Sequence, residues 1–406
     1  MSSPESGIDD VPTMECSVCQ IDVPAGAFCG YCGAHASDEP HRGPRWLGRL
    51  RGDTFGASPG ESVLLPAIAS SLFPHLPQRS RTPFRVGLAL VLVGLVLFAV
   101  VKMPAALITV AALGLPLLFV LYLAESAVYR DMSTWAMLLA GTLGAALGVG
   151  WTLLTGQMVA RAYGVPMAAG MAIHHLVREG MMIPVGGMIL MLVPTVLVRL
   201  LRPNSRESLD GFVVGALSAL MFAAGATLTR LAPQFATGLL ARDRPLKGLL
   251  VEALLCGVTI PLTAAVAGGM IGIALWFKGQ NSNPHEHPGR TRVVLFALAI
   301  VVVVIHTGVA VTDILGMEQL RMLAVHVVMT LVALVLLRIA LQLALLHEAH
   351  DPIELDEPLL CIHCQHVVPD MAFCPACGAA TRASSRASRH ERREVRPVRQ
   401  VAAEGS

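Results

Sequence analysis

From residue 84 to residue 346 the chain is a succession of apolar runs divided by short polar turns. A run of about 20 apolar residues is the length of helix that crosses a hydrocarbon layer of about 30 Å. Inside such a layer the backbone has to satisfy its own polar groups, which leaves helices or closed barrels. Barrel strands are shorter and alternate, so these runs read as helices. The expected spans are 84–102, 104–124, 133–155, 180–201, 210–232, 246–277, 291–313 and 319–346. Composition agrees, with 54% of 406 residues hydrophobic and 14% charged, against roughly 25% charged in a soluble domain. A single soluble enzyme is excluded. The expected fold class is an all-α polytopic membrane bundle of about eight transmembrane helices, with two small cytosolic zinc ribbons.

Three joints have their own character. Lys102-Met103-Pro104 leaves room only for a tight hairpin. The segment 157–179 is intermediate in polarity, with Arg161, His174, His175, Arg178 and Glu179, and reads as a re-entrant or amphipathic helix. The run 246–277 is interrupted by Pro261 and Gly268-Gly269, which predicts a kink or a strong tilt.

Eight of the nine cysteines form two sets of identical spacing, Cys16-x2-Cys19-x9-Cys29-x2-Cys32 and Cys361-x2-Cys364-x9-Cys374-x2-Cys377. Two CxxC knuckles joined by a short hairpin complete a tetrahedral sulfur site that suits zinc. In both sets a Phe precedes the third ligand (Phe28, Phe373) and a Gly follows the last (Gly33, Gly378), which permits a knuckle turn with positive φ. The sets resemble short zinc ribbons. The alternatives are disulfides, which need an oxidising compartment, and rubredoxin-like iron, whose knuckles stand much further apart. With all four positions taken, each of the two zinc ions is expected to be structural. His35, His363 and His366 read as solvated neighbours, and Cys256 as a small core residue.

The expected domains are an N-terminal ribbon over 12–36, a linker over 37–83 with one short helix near Val63–Leu72, a transmembrane domain over 84–348, a C-terminal ribbon over 357–381, and a tail over 382–406. The tail holds seven arginines without apolar periodicity. It reads as disordered, with anionic lipid as its partner. Without aromatic interleaving or a basic helical face, nucleic acid is not expected to bind. Residues 1–30 hold no long apolar stretch, so no cleavable signal peptide is expected. An even span count and reduced thiolates put both termini in the cytoplasm of a plasma-membrane, multi-pass protein. The positive-inside bias is weak, since the loop 230–247 places Arg230, Arg242, Arg244 and Lys247 on the other side.

Ionisable groups at membrane depth mark functional sites by default. The candidates are Arg178, Glu179, Glu252, His306, His326 and Arg338. For each the alternative is structural: pairing at the interface, or a neutral hydrogen bond to a facing helix.

Over roughly 170 residues several features recur in a known order. A span ends in a tyrosine-bearing polar junction, Leu121–Asp131, and an apolar helix opens on His174-His175-Leu176-Val177-Arg178-Glu179. Asp210-Gly211 then starts a Gly/Ala-rich helix containing Phe222-Ala223, and a Gly/Thr-rich helix follows at 246–276. This order resembles the PrsW group of intramembrane glutamic proteases, related in fold to the CAAX-prenyl proteases, and covers 104–277. In active relatives, paired glutamates followed by a basic residue, a Glu-Asn step and a histidine activate a water. Here the first glutamate position is Arg178 and the second Glu179. The basic position falls on Met182 or Ile183, the Glu-Asn step on Ala226 and Thr227, and no histidine is present, with Glu252 nearest. One carboxylate does not supply a base together with groups that hold water and stabilise an oxyanion. The resemblance therefore implies a degenerate protease fold in which Glu179 and Glu252 are the weak catalytic candidates.

The function expected is that of a non-catalytic membrane scaffold or regulator whose ribbons grip a protein partner or each other. The alternatives are a PrsW-like protease and a transporter or channel.

Overall fold

The computed structural model describes residues 12–36 except 18, 78–126, 128–163, 173–201, 207–232, 245–279, 288–312, 318–348, 358–381 and 384–395. Side chains at 78–81, 157–163, 173–181, 288 and 311–312 lie outside that description, as does the segment Val63–Leu72. Eight described helices are long and apolar enough to cross a membrane. They are α1 (Gln78–Val100), α2 (Pro104–Ser126), α3 (Thr134–Tyr163), α4 (Ile173–Leu200), α5 (Ser208–Leu231), α6 (Leu246–Trp276), α7 (Pro288–Thr312) and α8 (Gln319–His347). Two antiparallel hairpins flank them, β1 (Thr13–Glu15) with β2 (Asp22–Pro24) and β3 (Leu359–Leu360) with β4 (Val367–Val368). A ninth helix, α9 (Arg386–Glu394), follows the second hairpin.

Helix α5 is the centre of the bundle and packs most extensively on α6 and α3. Small residues make this possible, since they let the backbones of two helices approach closely. Gly211 and Gly215 of α5 face Gly272 and Gly268 of α6 so closely that a Cβ on either partner would overlap the opposite carbonyl oxygen. On the other side, Gly144 and Gly148 of α3 meet the carbonyls of Ser218 and Phe222 in the same way. By contrast α1 presents Val86, Leu90, Val93 and Leu97 outward.

The interruption expected in α6 is a π turn at Leu255–Thr259. Pro261 has no N–H for the carbonyl one turn earlier. The Ile260 N–H closes the wider turn on Leu255 O, and threonine hydroxyls add second donors, Thr259 to Leu255 O at 3.2 Å and Thr263 to Thr259 O at 2.9 Å. Gly268-Gly269 does not break the helix; Gly268 lies in the α5 contact and Gly269 lies against the Phe212 ring. At the end of α6, Arg199 donates to Leu275 O at 3.2 Å and Arg292 to Phe277 O at 3.3 Å. Basic side chains here fill carbonyls left open at a helix C-terminus.

Three expectations change. Among the described residues no separate helix occupies 157–179, of which 164–172 lie outside the description: α3 runs on to Tyr163 and α4 starts at Ile173, because helical hydrogen bonding continues past the point where the apolar run stops. Helix α1 begins at Gln78, inside the stretch read as linker. Within the stretch read as a disordered tail, the described residues Arg386–Glu394 form α9, held by ion pairs described below.

Candidate metal centres and their docking

Each ribbon is built from two knuckles. The N–H of Cys16 reaches Ile21 O and that of Cys361 reaches His366 O, while Cys29 and Cys374 make the matching bonds to Ala34 and Ala379. The turn after the first knuckle has positive φ at Gln20 (56°) and Gln365 (60°), and after the second at Gly33 (76°) and Gly378 (73°). The glycines are the residues expected there.

The sulfurs are already spaced for a metal. Cys16 and Cys32 lie 3.7 Å apart, Cys19 and Cys29 3.8 Å, Cys361 and Cys377 3.7 Å, and Cys364 and Cys374 3.7 Å. A tetrahedral site with metal–sulfur bonds of about 2.3 Å has edges of about 3.8 Å, whereas a disulfide needs about 2.05 Å. All eight cysteines are free thiols. Hydrogen bonds from Cys19 and Cys32 hold Cys29 down at about 2, and the same bonding pushes Cys19 up to about 12. In the second set Cys374 and Cys377 lower Cys361 in the same way. A divalent cation at the centre of either set would hold all four sulfurs as thiolates. Two four-sulfur groups that fit two metal ions, with zinc the matching chemistry, flank the helical bundle. His35 and His366 are exposed and His363 is half-buried, outside both groups.

The ribbons grip each other through equivalent residues. Phe28 N–H donates to Pro375 O at 3.0 Å, and Phe373 N–H donates to Gly30 O at 2.9 Å. A Cβ at Gly33 would sit 2.8 Å from the Phe373 ring, and one at Gly378 would sit 2.6 Å from the Phe28 ring. Since Phe28 matches Phe373 and Gly33 matches Gly378 in the repeated motif, the pair has approximate two-fold symmetry. Phe373 is fully buried and joins the apolar core of the bundle.

Helix α9 fastens this pair to the bundle. Ser385 caps it by accepting from Ser388 N–H, and donates to Ser126 O at the end of α2. Asp131 accepts from Ala387 N–H at 3.0 Å and pairs with Arg386 at 3.6 Å. Arg389, 5% exposed, pairs with Glu207 at 2.5 Å just before α5. Arg393 pairs with Asp370 of the second ribbon, and Arg392 donates to Thr381 O and Ser384. Burial pushes the Arg392 guanidinium down to about 10, so it stays charged at neutral pH. Removing one member of a buried ion pair costs about 3–5 kcal/mol. Arg389→Ala is expected to free α9 from α5, read as rapid trypsin cleavage within 386–393 while the bundle stays intact; cleavage at the wild-type rate would show that the pair does not hold the helix.

Below α9 a second group of acids meets the start of α5. Asp210 accepts from Glu207 N–H at 3.2 Å, and Glu348, 1% exposed at the end of α8, accepts from Ser208 N–H at 2.6 Å and Ser208 Oγ at 2.9 Å. Burial, with Glu207 nearby, holds the Glu348 carboxyl well above the usual range, offset in part by Ser208. A raised carboxyl binds its proton more tightly in the folded chain. Its stabilisation is full below the unfolded value near about 4.3 and is lost as pH rises through the folded one. Glu348→Gln keeps the acceptor for Ser208 without the charge, so the variant is expected to unfold at a higher temperature than wild type at pH 8 and to show a flatter pH profile in detergent. Parallel profiles would exclude this carboxyl as the titrating group.

The other candidates scatter. Arg178 and Glu179 fall within α4, with side chains outside the described set. Glu252 lies at the far end of the bundle, half-buried, one turn before the π turn. His306 on α7 meets the Thr263 hydroxyl at 3.4 Å. His326 and Arg338 are buried on α8, and Cys256 is half-buried within the π turn. Asp210, part of the PrsW-like order, is used as a helix cap. No protein family, no curated protein and no solved structure matches this chain. The likeness to PrsW therefore rests on the order of sequence features alone.

The residues that sequence reasoning missed are Asp131, Glu207, Glu348, Asp370, Arg389 and Arg393. One signal was present: Ser385 as a cap, followed by Arg386, Arg389 and Arg393 at helical spacing, marks a basic face without an apolar one.

Proposed function

We propose that the chain is a non-catalytic integral membrane scaffold or regulatory protein, with eight spans in the plasma membrane and both zinc ribbons in the cytoplasm. The two ribbons act as one paired head that presents a surface to a protein partner. The observation that carries this reading is the reciprocal pairing of the ribbons, fastened by α9 to the start of the central helix α5. Closed four-sulfur sites leave no open metal position for catalysis. A head tied to α5 offers a route by which a bound partner biases the bundle, since the pairs at Glu207 and Asp131 have to break for the head to lift. Reduced thiols support the cytoplasmic side, and pairing of the two ends supports an even span count. Anionic lipid is the partner proposed for the remainder of the tail.

Reporter fusions at both termini are expected to read cytoplasmic, and crosslinking in native membranes is expected to capture a partner that is lost in Cys29→Ser with the bundle still inserted. Capture that survives the substitution, or an external terminus, would overturn the proposal.

A further inference from the structure

At the end of the bundle remote from the ribbons lies a cavity of about 530 Å³ that the scaffold reading does not use. Its size falls in the range of small-molecule pockets, roughly 300–1,000 Å³. Three elements build it: the last turn of α5 supplies Arg230, the first part of α6 supplies Leu249, Glu252 and Leu255, and the start of α8 supplies Gln319 and Met322. The first two residues of the π turn, Leu255 and Cys256, also line it. Such bulges inside helices are frequent at functional sites, and this one widens α6 one turn beyond the carboxylate.

The lining combines opposite charges on an apolar body. Glu252 lines a second, much smaller chamber behind the cavity together with Leu107, Ile108 and Leu231. Leu231 follows Arg230 directly, so the carboxylate and the guanidinium belong to the same level of the bundle on facing helices. Gln319 adds an amide that both donates and accepts. Gly248, one turn before Glu252, keeps the space open: a Cβ there would meet only Pro245 at 3.7 Å and Gln319 Oε1 at 3.8 Å, which is ordinary contact. A cation alone would suit Glu252 and be repelled by Arg230, and an anion alone the reverse. We propose that this cavity binds a zwitterion, an ammonium group held by Glu252 and a phosphate or carboxylate held by Arg230, with an aliphatic portion against Leu249, Leu255 and Met322.

An aminophospholipid headgroup and a free zwitterion share this chemistry, and the test separates them. Full-length protein in detergent is examined by native mass spectrometry with phosphatidylethanolamine and phosphatidylglycerol, and by thermal shift with phosphoethanolamine and L-leucine. The expected result is preferential binding of one ethanolamine lipid or one free zwitterion per chain. Affinity is expected to fall at least tenfold in Glu252→Gln and in Gly248→Leu, and to be unchanged in Lys102→Gln at the same end. Gly248→Leu fills the space while leaving both charges in place, so the two variants separate occlusion from loss of charge. Binding of the lipid assigns the site to the bilayer, and binding of a soluble probe assigns it to solutes. Absence of binding by all four probes, or binding that neither Glu252→Gln nor Gly248→Leu weakens, would overturn the proposal. None of these readouts depends on the zinc sites or on a protein partner, so the scaffold reading stands or falls separately.

Discussion

Cys374→Ser is expected to remove more than one zinc from the protein. Purified wild type should carry about two metal ions per chain, since a structural zinc site supplies about 10–16 kcal/mol of apparent binding free energy to a segment too short to fold alone. Losing one thiolate from the second set abolishes its site and unfolds that ribbon. The consequence then spreads along two routes. Phe373 and Pro375 belong to the same knuckle and hold the first ribbon through Gly30 and Phe28, so the first ribbon loses both of these bonds. Asp370 and Thr381 hold Arg393 and Arg392, so α9 loses its anchor on the ribbon side. Metal content below one per chain, together with raised hydrogen exchange at Glu207–Asp210, is the outcome that reports this coupling. A variant with one retained zinc and unchanged exchange at the start of α5 would mean that the two ribbons are independent.

Gly215→Leu is expected to be the most damaging single substitution in the bundle. A side chain at 215 would overlap the Gly268 carbonyl and crowd the Gly269 nitrogen, and backbone atoms cannot move aside as a side-chain tip does. Overpacking in a yielding core costs about 1–3 kcal/mol. Here two helices have to separate along their closest line, which also opens the contact between Gly211 and Gly272, so the loss is expected at or above the top of that range. Gly150→Leu is the matched control, because nothing lies within 4 Å of its Cβ position; it is expected to stay within about 0.5 kcal/mol of wild type. Unfolding midpoints in mixed micelles read the difference, and equal midpoints would show that the α5–α6 crossing does not set stability.

The parts legible beforehand were those written in local patterns. The eight apolar spans lie within a few residues of the runs, since hydrophobic length is a property of each segment alone, although α1, α3 and α4 extend further at one end. The two sulfur sites followed from spacing repeated at both ends. Tertiary ion pairs left no such trace. Arg389 and Glu207 are far apart in sequence, and nothing local says that they meet. Helix α9 lacks an apolar stripe because three of its arginines pair with acids on neighbouring elements, so a search for apolar periodicity passes over it. The break in α6 was visible in Pro261, but nothing local says that it takes the form of a π turn, with Gly257 set close against Leu95 and Ala111. Among the PrsW-like features, Asp210 was readable as a motif residue and equally as a cap; only its bond to Glu207 N–H gives it a task.

The pairing of the first ribbon with the second also sets an order of events during synthesis. The residues that receive Phe28 and Gly33 lie some 340 positions later in the chain. At about 5–20 residues per second, the ribosome needs tens of seconds to produce them. Throughout that interval the first ribbon has only its own sulfurs to close around a metal ion, while every apolar helix is made. The clasp therefore forms last, and a nascent chain cut short before Phe373 cannot make it.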